Sequence, residues 1–208
     1  MSKINIASKI DLYNLQYEIS EYDIQLLFKQ AIDNGYRAIG VLPTFVAMVK
    51  DTSLNKIPVI AVLGLPEGKG KFDYWLKIAE QAILDGADEI EWVLDYKQLN
   101  NMELLIDNLR EFTFKCHCKG VWTRLVIEIG NELFLDKIVR VIKETGFKGI
   151  MTSTGMIEKV ATVENVKSLK TQLPKSIEIK AAGKIYNRGW ADKLIKAGAD
   201  RIATSRVI

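Results

Sequence analysis

One pattern recurs four times along the chain and restricts the fold more than any other feature of the sequence. A helical run with regularly spaced apolar residues is followed by a glycine and then by a short strand. The four copies lie at residues 34–41, 85–92, 145–151 and 197–204. Each glycine stands where a helix ends in a left-handed residue. Repeated helix–glycine–strand units are typical of βαβ architecture, so the sequence predicts a sheet of parallel strands.

Further apolar segments complete a set of eight predicted strands, near residues 3–10, 36–42, 58–64, 88–94, 123–129, 147–152, 177–182 and 200–205. Helices are expected between them, near residues 20–34, 44–51, 70–86, 101–117, 132–145, 162–172 and 187–197. This order predicts an α/β fold, a compact (β/α)8 TIM barrel that spans residues 1–208 as a single domain. The alternative is an open doubly wound sheet, which is disfavoured because no glycine-rich dinucleotide loop follows the first strand.

The end of the chain predicts one departure from a complete barrel. Ile208 follows the eighth strand by only a few residues, so we expect the eighth outer helix to be missing. Outward apolar residues on the seam between strands eight and one would then lack a cover; the candidates are Ile4, Ile6, Ile202, Val207 and Ile208. Either the segment near residues 12–17 or a second copy of the chain must bury them. We expect a homodimer through this side, because a two-fold axis lets one patch cover its own copy.

Composition excludes several classes of function. The chain of 208 residues carries 29 basic and 26 acidic residues, and a net charge of +3 argues against a nucleic-acid surface. No apolar run is long enough to span a membrane, and the N-terminal residues lack the apolar core of a signal peptide, so a cytoplasmic location is expected. Cys116 and Cys118 flank His117, and three adjacent residues cannot surround a metal ion. We expect neither a metal nor any other cofactor.

The segment at residues 146–155 is the strongest candidate for a functional site. It follows a helical segment, forms a short apolar strand, and ends in Thr152, Ser153, Thr154 and Gly155. Small hydroxylated residues at the carboxyl end of a barrel strand supply hydroxyls and backbone N–H groups where barrel enzymes carry out their chemistry. This end of the barrel is therefore the predicted site.

These segments resemble the deoxyribose-phosphate aldolase family in order and spacing over almost the whole chain. The matching segments lie at residues 9–15, 39–43, 64–68, 86–91, 126–128, 152–155, 179–183 and 198–202. The family's sixth-strand motif ends in Lys-Thr-Ser-Thr-Gly, and its lysine forms a Schiff base with the substrate. The resemblance implies reversible cleavage of 2-deoxyribose 5-phosphate to glyceraldehyde 3-phosphate and acetaldehyde, without a metal.

The family's functional residues carry over unevenly. Lys180 matches the second catalytic lysine, Glu91 matches the proton-shuttling aspartate, and Met151 matches the lysine that forms the imine. The resemblance also implies residues that bind phosphate or substrate: Asp11, Thr154, Gly155, Gly183, Lys184, Thr204, Ser205 and Arg206. Of these, Lys184 and Arg206 replace small residues of the family pattern and add positive charge to the expected phosphate site.

The chemistry expected of this site depends on a neutral lysine. A lysine attacks a carbonyl only as the free amine, so its pKa must fall from about 10.4. Lys180 and Glu91 both face the barrel interior and should pair. Without a second lysine at position 151, Lys180 should stay mostly protonated, although burial beside Met151 acts in the opposite direction.

Three interpretations follow from this pattern. The chain is a family enzyme that uses Lys180 and Glu91, or a non-catalytic barrel that binds a small-molecule sugar phosphate. In the third interpretation Met151 is an introduced substitution in an otherwise active enzyme. The differences at Glu91, Lys184 and Arg206 count against the third, because a single engineered change would leave the other positions unaltered.

Overall fold

Eight parallel strands close into a barrel in which the strands follow their order along the chain. The structure is a computed structural model and describes residues 6–129, 134–157 and 160–208. The strands are β1 (Ile10–Asn14), β2 (Ala38–Val41), β3 (Val59–Leu63), β4 (Glu89–Val93), β5 (Trp122–Val126), β6 (Gly149–Met151), β7 (Glu178–Ala181) and β8 (Arg201–Thr204). The pairing of β1 with both β2 and β8 closes the barrel. The predicted fold class is thereby confirmed.

Seven α-helices occur among the described residues, in the predicted order. They are α1 (Glu21–Asp33), α2 (Val46–Ser53), α3 (Phe72–Leu84), α4 (Met102–Cys118), α5 (Leu135–Thr145), α6 (Val163–Gln172) and α7 (Arg188–Ala197). The glycine after each of α1, α3, α5 and α7 has a positive φ, as the repeated pattern predicts. No helix follows β8 in the described part of the chain, in agreement with the expected loss of the eighth outer helix.

The first strand is the one element that the sequence misplaces. We expected it near residues 3–10, but β1 begins at Ile10, and Ala7–Lys9 form a 3-10 turn. Residues 1–5 lie outside the described residues. Ile10 and Leu12 belong to the layer between strands and helices, whereas Tyr13 packs inside the barrel. The alternation of a barrel strand therefore starts later than the apolar Ile4 and Ile6 suggest.

The seam between β8 and β1 is covered by the chain itself, which removes the physical basis of the homodimer prediction. Ile6 and Ile202 are fully buried within one copy. Ile208 packs against the same core, and its backbone N–H and C=O both bond to the Tyr36 hydroxyl, at 2.8 and 3.0 Å. Only Val207 remains clearly exposed among the described seam residues, and Ile4 lies outside them. The homodimer therefore stays a prediction, and an exposed apolar seam no longer supports it.

Inside the barrel, Tyr13 and Gly40 form one packing unit. They are paired in the register of β1 and β2. A Cβ atom added to Gly40 would lie 2.2 Å from two carbons of the Tyr13 ring, far inside van der Waals contact. Gly40 is therefore required by the space that the Tyr13 ring occupies, and the ring lies across the barrel interior because residue 40 has no side chain.

We predict that Gly40→Ala lowers the free energy of unfolding by about 1–3 kcal/mol, because the added methyl group overpacks the barrel against the Tyr13 ring. In a Tyr13→Ala background the same substitution has room, and its cost should fall below about 1 kcal/mol. The matched control is Gly189→Ala in α7, where the added Cβ meets only ordinary contact at 3.5 Å. Urea unfolding of the four-member cycle measures the coupling. If Gly40→Ala lowered the free energy of unfolding equally in the unaltered chain and in Tyr13→Ala, the two residues would not form a packing unit.

Candidate active site

A cavity of about 190 Å³ opens at the carboxyl ends of β6, β7, β8 and β1. Its lining residues are Tyr13, Leu15, Met151, Thr154, Gly155, Met156, Ala182, Gly183, Lys184, Ile185, Tyr186, Ala203, Thr204 and Ser205. The cavity has an apolar floor, made by Tyr13, Met151, Ala182 and Ala203, which all belong to the apolar cluster inside the barrel. Its rim carries hydroxyl, glycine and lysine residues from the loops after β6, β7 and β8.

The apolar floor and a charged layer follow from the same strand alternation. On five strands a charged residue is followed two positions later by an apolar residue of the inner cluster, so the two point to the same side. These pairs are Asp11 and Tyr13, Glu91 and Val93, Arg124 and Val126, Lys180 and Ala182, and Arg201 and Ala203. The charged side chains therefore lie one layer below the cavity, toward the amino ends of the strands.

The charged layer is an ionic cluster of four carboxylates and four cations. It consists of Asp11, Glu89, Glu91 and Glu178 with Arg37, Arg124, Lys180 and Arg201, joined by ion pairs. The formal charges cancel, four negative against four positive. Arg124 lies at its centre and contacts both Glu89 and Glu178, with a fully buried side chain. Charges can be buried at this depth only when they are paired in this way.

The Lys180 amine is completely enclosed by this cluster. Its Nζ lies 2.6 Å from Asp11 Oδ2, 2.7 Å from Glu91 Oε1 and 3.3 Å from Glu89 Oε1. The fourth contact is a hydrogen bond of 2.8 Å to the Tyr13 hydroxyl. The Lys180 side chain has no exposed surface and does not line the cavity. The predicted pairing of Glu91 with Lys180 is present, within a larger group than the sequence suggested.

The surroundings of Lys180 favour its charged form. Burial and the positive charge of Arg124 lower the pKa of Lys180, but Asp11, Glu89 and Glu91 outweigh them and leave it above its ordinary value. Burial also raises the pKa of Glu89, but Arg124, Lys180 and Arg37 overcome that effect and hold it well below its usual range. At neutral pH these shifts favour Glu89 as a carboxylate and Lys180 as an ammonium group.

The Tyr13 side chain separates the ionic cluster from the cavity. Its hydroxyl donates to Glu91 Oε1 at 2.9 Å and accepts from Lys180, while its ring contributes to the cavity floor. Burial, followed by the charges of Glu91, Asp11 and Glu89, raises the pKa of Tyr13 well above its ordinary value, so the phenol stays neutral. Both hydrogen bonds of the Tyr13 hydroxyl are made to the ionic cluster, and the aromatic ring faces the cavity.

The turn after β6 is held by Glu128, which the sequence analysis did not single out as a site residue. The Glu128 carboxylate accepts hydrogen bonds from the Thr154 N–H at 2.9 Å, from the Ser153 hydroxyl at 3.1 Å and from the Thr154 hydroxyl. The Gly155 N–H bonds to the Ser153 hydroxyl at 3.0 Å. The hydroxyls of this turn are thus used to fix its shape, and Thr154 and Gly155 are held at the edge of the cavity.

The opposite rim carries positive charge. Lys184 follows Gly183, has a left-handed backbone with φ of 52°, and is exposed beside the cavity. The guanidinium carbon of Arg206 lies 4.5 Å from the centre of the Tyr186 ring, which itself lines the cavity. Stacking on an aromatic face orients the guanidinium group. This part of the rim can therefore bind an anion.

The structure brings most of the predicted site residues together. Seven of them line the cavity: Met151, Thr154, Gly155, Gly183, Lys184, Thr204 and Ser205. Three others, Asp11, Glu91 and Lys180, lie in the ionic cluster instead, and Arg206 stands behind Tyr186 at the rim. For Asp11 this differs from the expectation of contact with substrate, because its carboxylate pairs with Lys180 and Arg37.

Three buried residues of the site were missed by the sequence analysis. Glu89 and Arg124 share the inward parity of Glu91 and Val126, and alternation along β4 and β5 could have identified them. Tyr13 was missed because the first strand was placed too early. Arg124 was also not anticipated as a positively charged neighbour of Lys180, and its charge acts to lower the pKa of that amine.

Two negative findings hold for the part of the chain that the structure describes. No group of three or more histidine, cysteine, aspartate or glutamate residues is arranged to hold a metal ion. In those same ranges, no helix is long and apolar enough to cross a membrane. Cys116 is buried, Cys118 is exposed, and His117 contacts the Thr123 hydroxyl at 3.0 Å.

A closed (β/α)8 barrel with a polar-rimmed cavity at the carboxyl ends of its strands belongs to the broad class of barrels that bind small molecules in their βα loops. No family model matches the chain. Among curated proteins, the deoxyribose-phosphate aldolase of Thermococcus kodakarensis is 32% identical over 99% of this chain and 95% of its own length. That of Aquifex aeolicus is 31% identical over 97% and 93%. The chain belongs to the deoxyribose-phosphate aldolase family.

Solved structures agree with this assignment. The aldolase QR15 superposes with a TM-score of 0.91 at 29% identity, covering 98% of this chain and 92% of that one. A tetrameric deoxyribose phosphate aldolase from Aeropyrum pernix gives a TM-score of 0.89 over 96% and 86%. At 24% identity the second match supports the fold alone.

We predict that Lys180→Met destabilises the protein by about 3–5 kcal/mol, because it leaves buried carboxylates without one of their cations. The matched control is Lys170→Met. Lys170 is 39% exposed and lies 3.3 Å from Asp200, so its loss should cost no more than about 1 kcal/mol. Chemical denaturation of both variants at neutral pH measures the difference. Similar small losses for the two would show that the ionic cluster is not a structural requirement of the barrel.

Proposed function

We propose that this family member binds a small sugar phosphate in the cavity without forming an imine, and thus acts as a non-catalytic sugar-phosphate-binding barrel. The observation that carries the proposal is the environment of the Lys180 amine. It is surrounded by Asp11, Glu89 and Glu91 and covered by Tyr13, so no carbonyl group in the cavity can reach it.

Imine chemistry requires an amine that is both accessible and neutral. The resemblance places the imine-forming lysine at position 151, where the cavity floor has a methionine thioether, which is not a nucleophile for this reaction. Lys180 meets neither requirement, since it is enclosed and charged. Lys184 lies on the exposed rim and not on the floor. At the rim its amine can bind an anion.

The rim supports the binding part of the proposal. Loops that follow the last strands of a (β/α)8 barrel are a frequent phosphate site, because backbone N–H groups converge there. Here the loops after β6, β7 and β8 contribute Gly155, Gly183 and Ser205 to the cavity, with Lys184 beside them. The Arg206 guanidinium group is within reach of the same rim and can bind a phosphate through two N–H groups.

The aldolase interpretation keeps one specific observation in its favour. The retained pair of Lys180 and Glu91, at 2.7 Å, matches residues that the family resemblance assigns to catalysis. If Met151 were the single obstacle, a lysine at that position would restore covalent chemistry. The two candidate functions therefore differ in a measurable way.

We predict that the protein forms no borohydride-trapped adduct on Lys180 with acetaldehyde or glyceraldehyde 3-phosphate, and that Met151→Lys forms one at residue 151. The floor should lower the pKa of the new amine through burial and through the neighbouring Lys180 charge. Peptide mass spectrometry locates the adduct. The control is Met156→Lys, which adds an amine at the exposed rim and should trap little. An adduct on Lys180 of the unaltered chain would support the aldolase interpretation and overturn ours.

We predict that 2-deoxyribose 5-phosphate raises the melting temperature, since a ligand at 100 times its dissociation constant stabilises the folded state by about 2.7 kcal/mol. For a chain of this size that is a shift of several degrees. Lys184→Ala and Arg206→Ala should weaken the shift. Lys119→Ala, an exposed lysine before β5 at the other end of the barrel, should not. No shift with saturating sugar phosphates would remove the binding proposal.

A further inference from the structure

We infer that Tyr13 sets the specificity of the cavity and selects phosphate esters whose far end is a bare carbon chain over polyhydroxylated sugar phosphates. This inference rests on the proposed phosphate site at the rim. It concerns the other end of the ligand, which must lie on the floor made by the Tyr13 ring, Met151, Ala182 and Ala203.

The floor offers a ligand hydroxyl very few partners. Methionine and alanine side chains supply no conventional donor or acceptor, and the Tyr13 hydroxyl is already bonded to Glu91 and Lys180 below the floor. A hydroxyl group pressed against this surface loses its bonds to water and gains little in return. A methyl or methylene group in the same place loses nothing polar and buries apolar surface.

The two threonine hydroxyls that line the cavity are also in use. The Thr204 hydroxyl donates to the Ile185 backbone carbonyl oxygen at 2.9 Å and accepts from the Arg206 N–H at 3.1 Å. The Thr154 hydroxyl bonds to the Glu128 carboxylate and accepts from the Met156 N–H at 3.2 Å. Both belong to the turns that shape the rim, so recruiting either for a ligand would disturb a turn.

Tyr13 is the residue that makes the floor apolar, because polar groups that could bind ligand hydroxyls lie directly beneath its ring. Lys180 and Glu91 are within hydrogen-bond distance of the Tyr13 oxygen and have no access to the cavity while the ring is in place. The ring fits there because Gly40 leaves it room. Removal of the ring would join the ionic cluster to the cavity and turn an apolar floor into a charged one.

Calorimetric titration with two phosphate esters of equal carbon number tests the inference. They are n-pentyl phosphate and ribose 5-phosphate, and inorganic phosphate serves as the reference without a carbon chain. On the unaltered protein n-pentyl phosphate should bind about 10–100-fold more tightly than ribose 5-phosphate, the range within which an apolar pocket rejects an added hydroxyl. Its binding should also show the more negative heat-capacity change that marks apolar burial. Lys184→Ala should weaken both esters, which verifies that they bind at the same rim.

Two variants separate the ring from its hydroxyl. Tyr13→Phe keeps the aromatic floor, so the preference for n-pentyl phosphate should persist. Tyr13→Ala exposes Lys180 and Glu91, so the preference should shrink or reverse.

Equal or tighter binding of ribose 5-phosphate by the unaltered protein would overturn this inference and leave the phosphate site standing. If none of the three probes binds, the proposed function itself fails. The comparison on the unaltered protein and Tyr13→Phe decides the matter even if Tyr13→Ala does not fold.

Discussion

The ion pairs of Lys180 are the interaction on which the interior of this barrel depends. An ammonium group without exposed surface is tolerable only because Asp11, Glu91 and Glu89 lie within 2.6 to 3.3 Å of it. Those carboxylates in turn need Arg37 and Arg124, which neutralise the remaining charge. Because every member is paired with a group of opposite charge, the layer behaves as one unit.

This mutual neutralisation has a chemical consequence. A lysine becomes a nucleophile when its surroundings disfavour its charge, whereas these surroundings favour it. The cluster that stabilises the barrel therefore also favours the charged form of the Lys180 amine. Tyr13 adds a physical barrier by covering the amine with an aromatic ring.

Membership of the deoxyribose-phosphate aldolase family is compatible with this result, because fold and chemistry depend on different residues. The barrel is maintained by the apolar layer between strands and helices, and it tolerates changes at inward positions that conserve packing and charge. A methionine at position 151 fills the floor with an adaptable apolar side chain. The rim is formed by turns with hydrogen bonds of their own, such as the one fixed by Glu128.

The sequence by itself determined the barrel, the helix order and the end at which the cavity lies, because glycine-terminated helices and alternating strands are local patterns. It also paired Glu91 with Lys180, since parity along a strand fixes which way a side chain faces. Tertiary structure alone decided the state of Lys180, which is set by Asp11, Arg124 and Tyr13 from three other places in the chain. Distant residues meet only when the barrel closes, and the electrostatic effect on a buried amine is the sum of all of them.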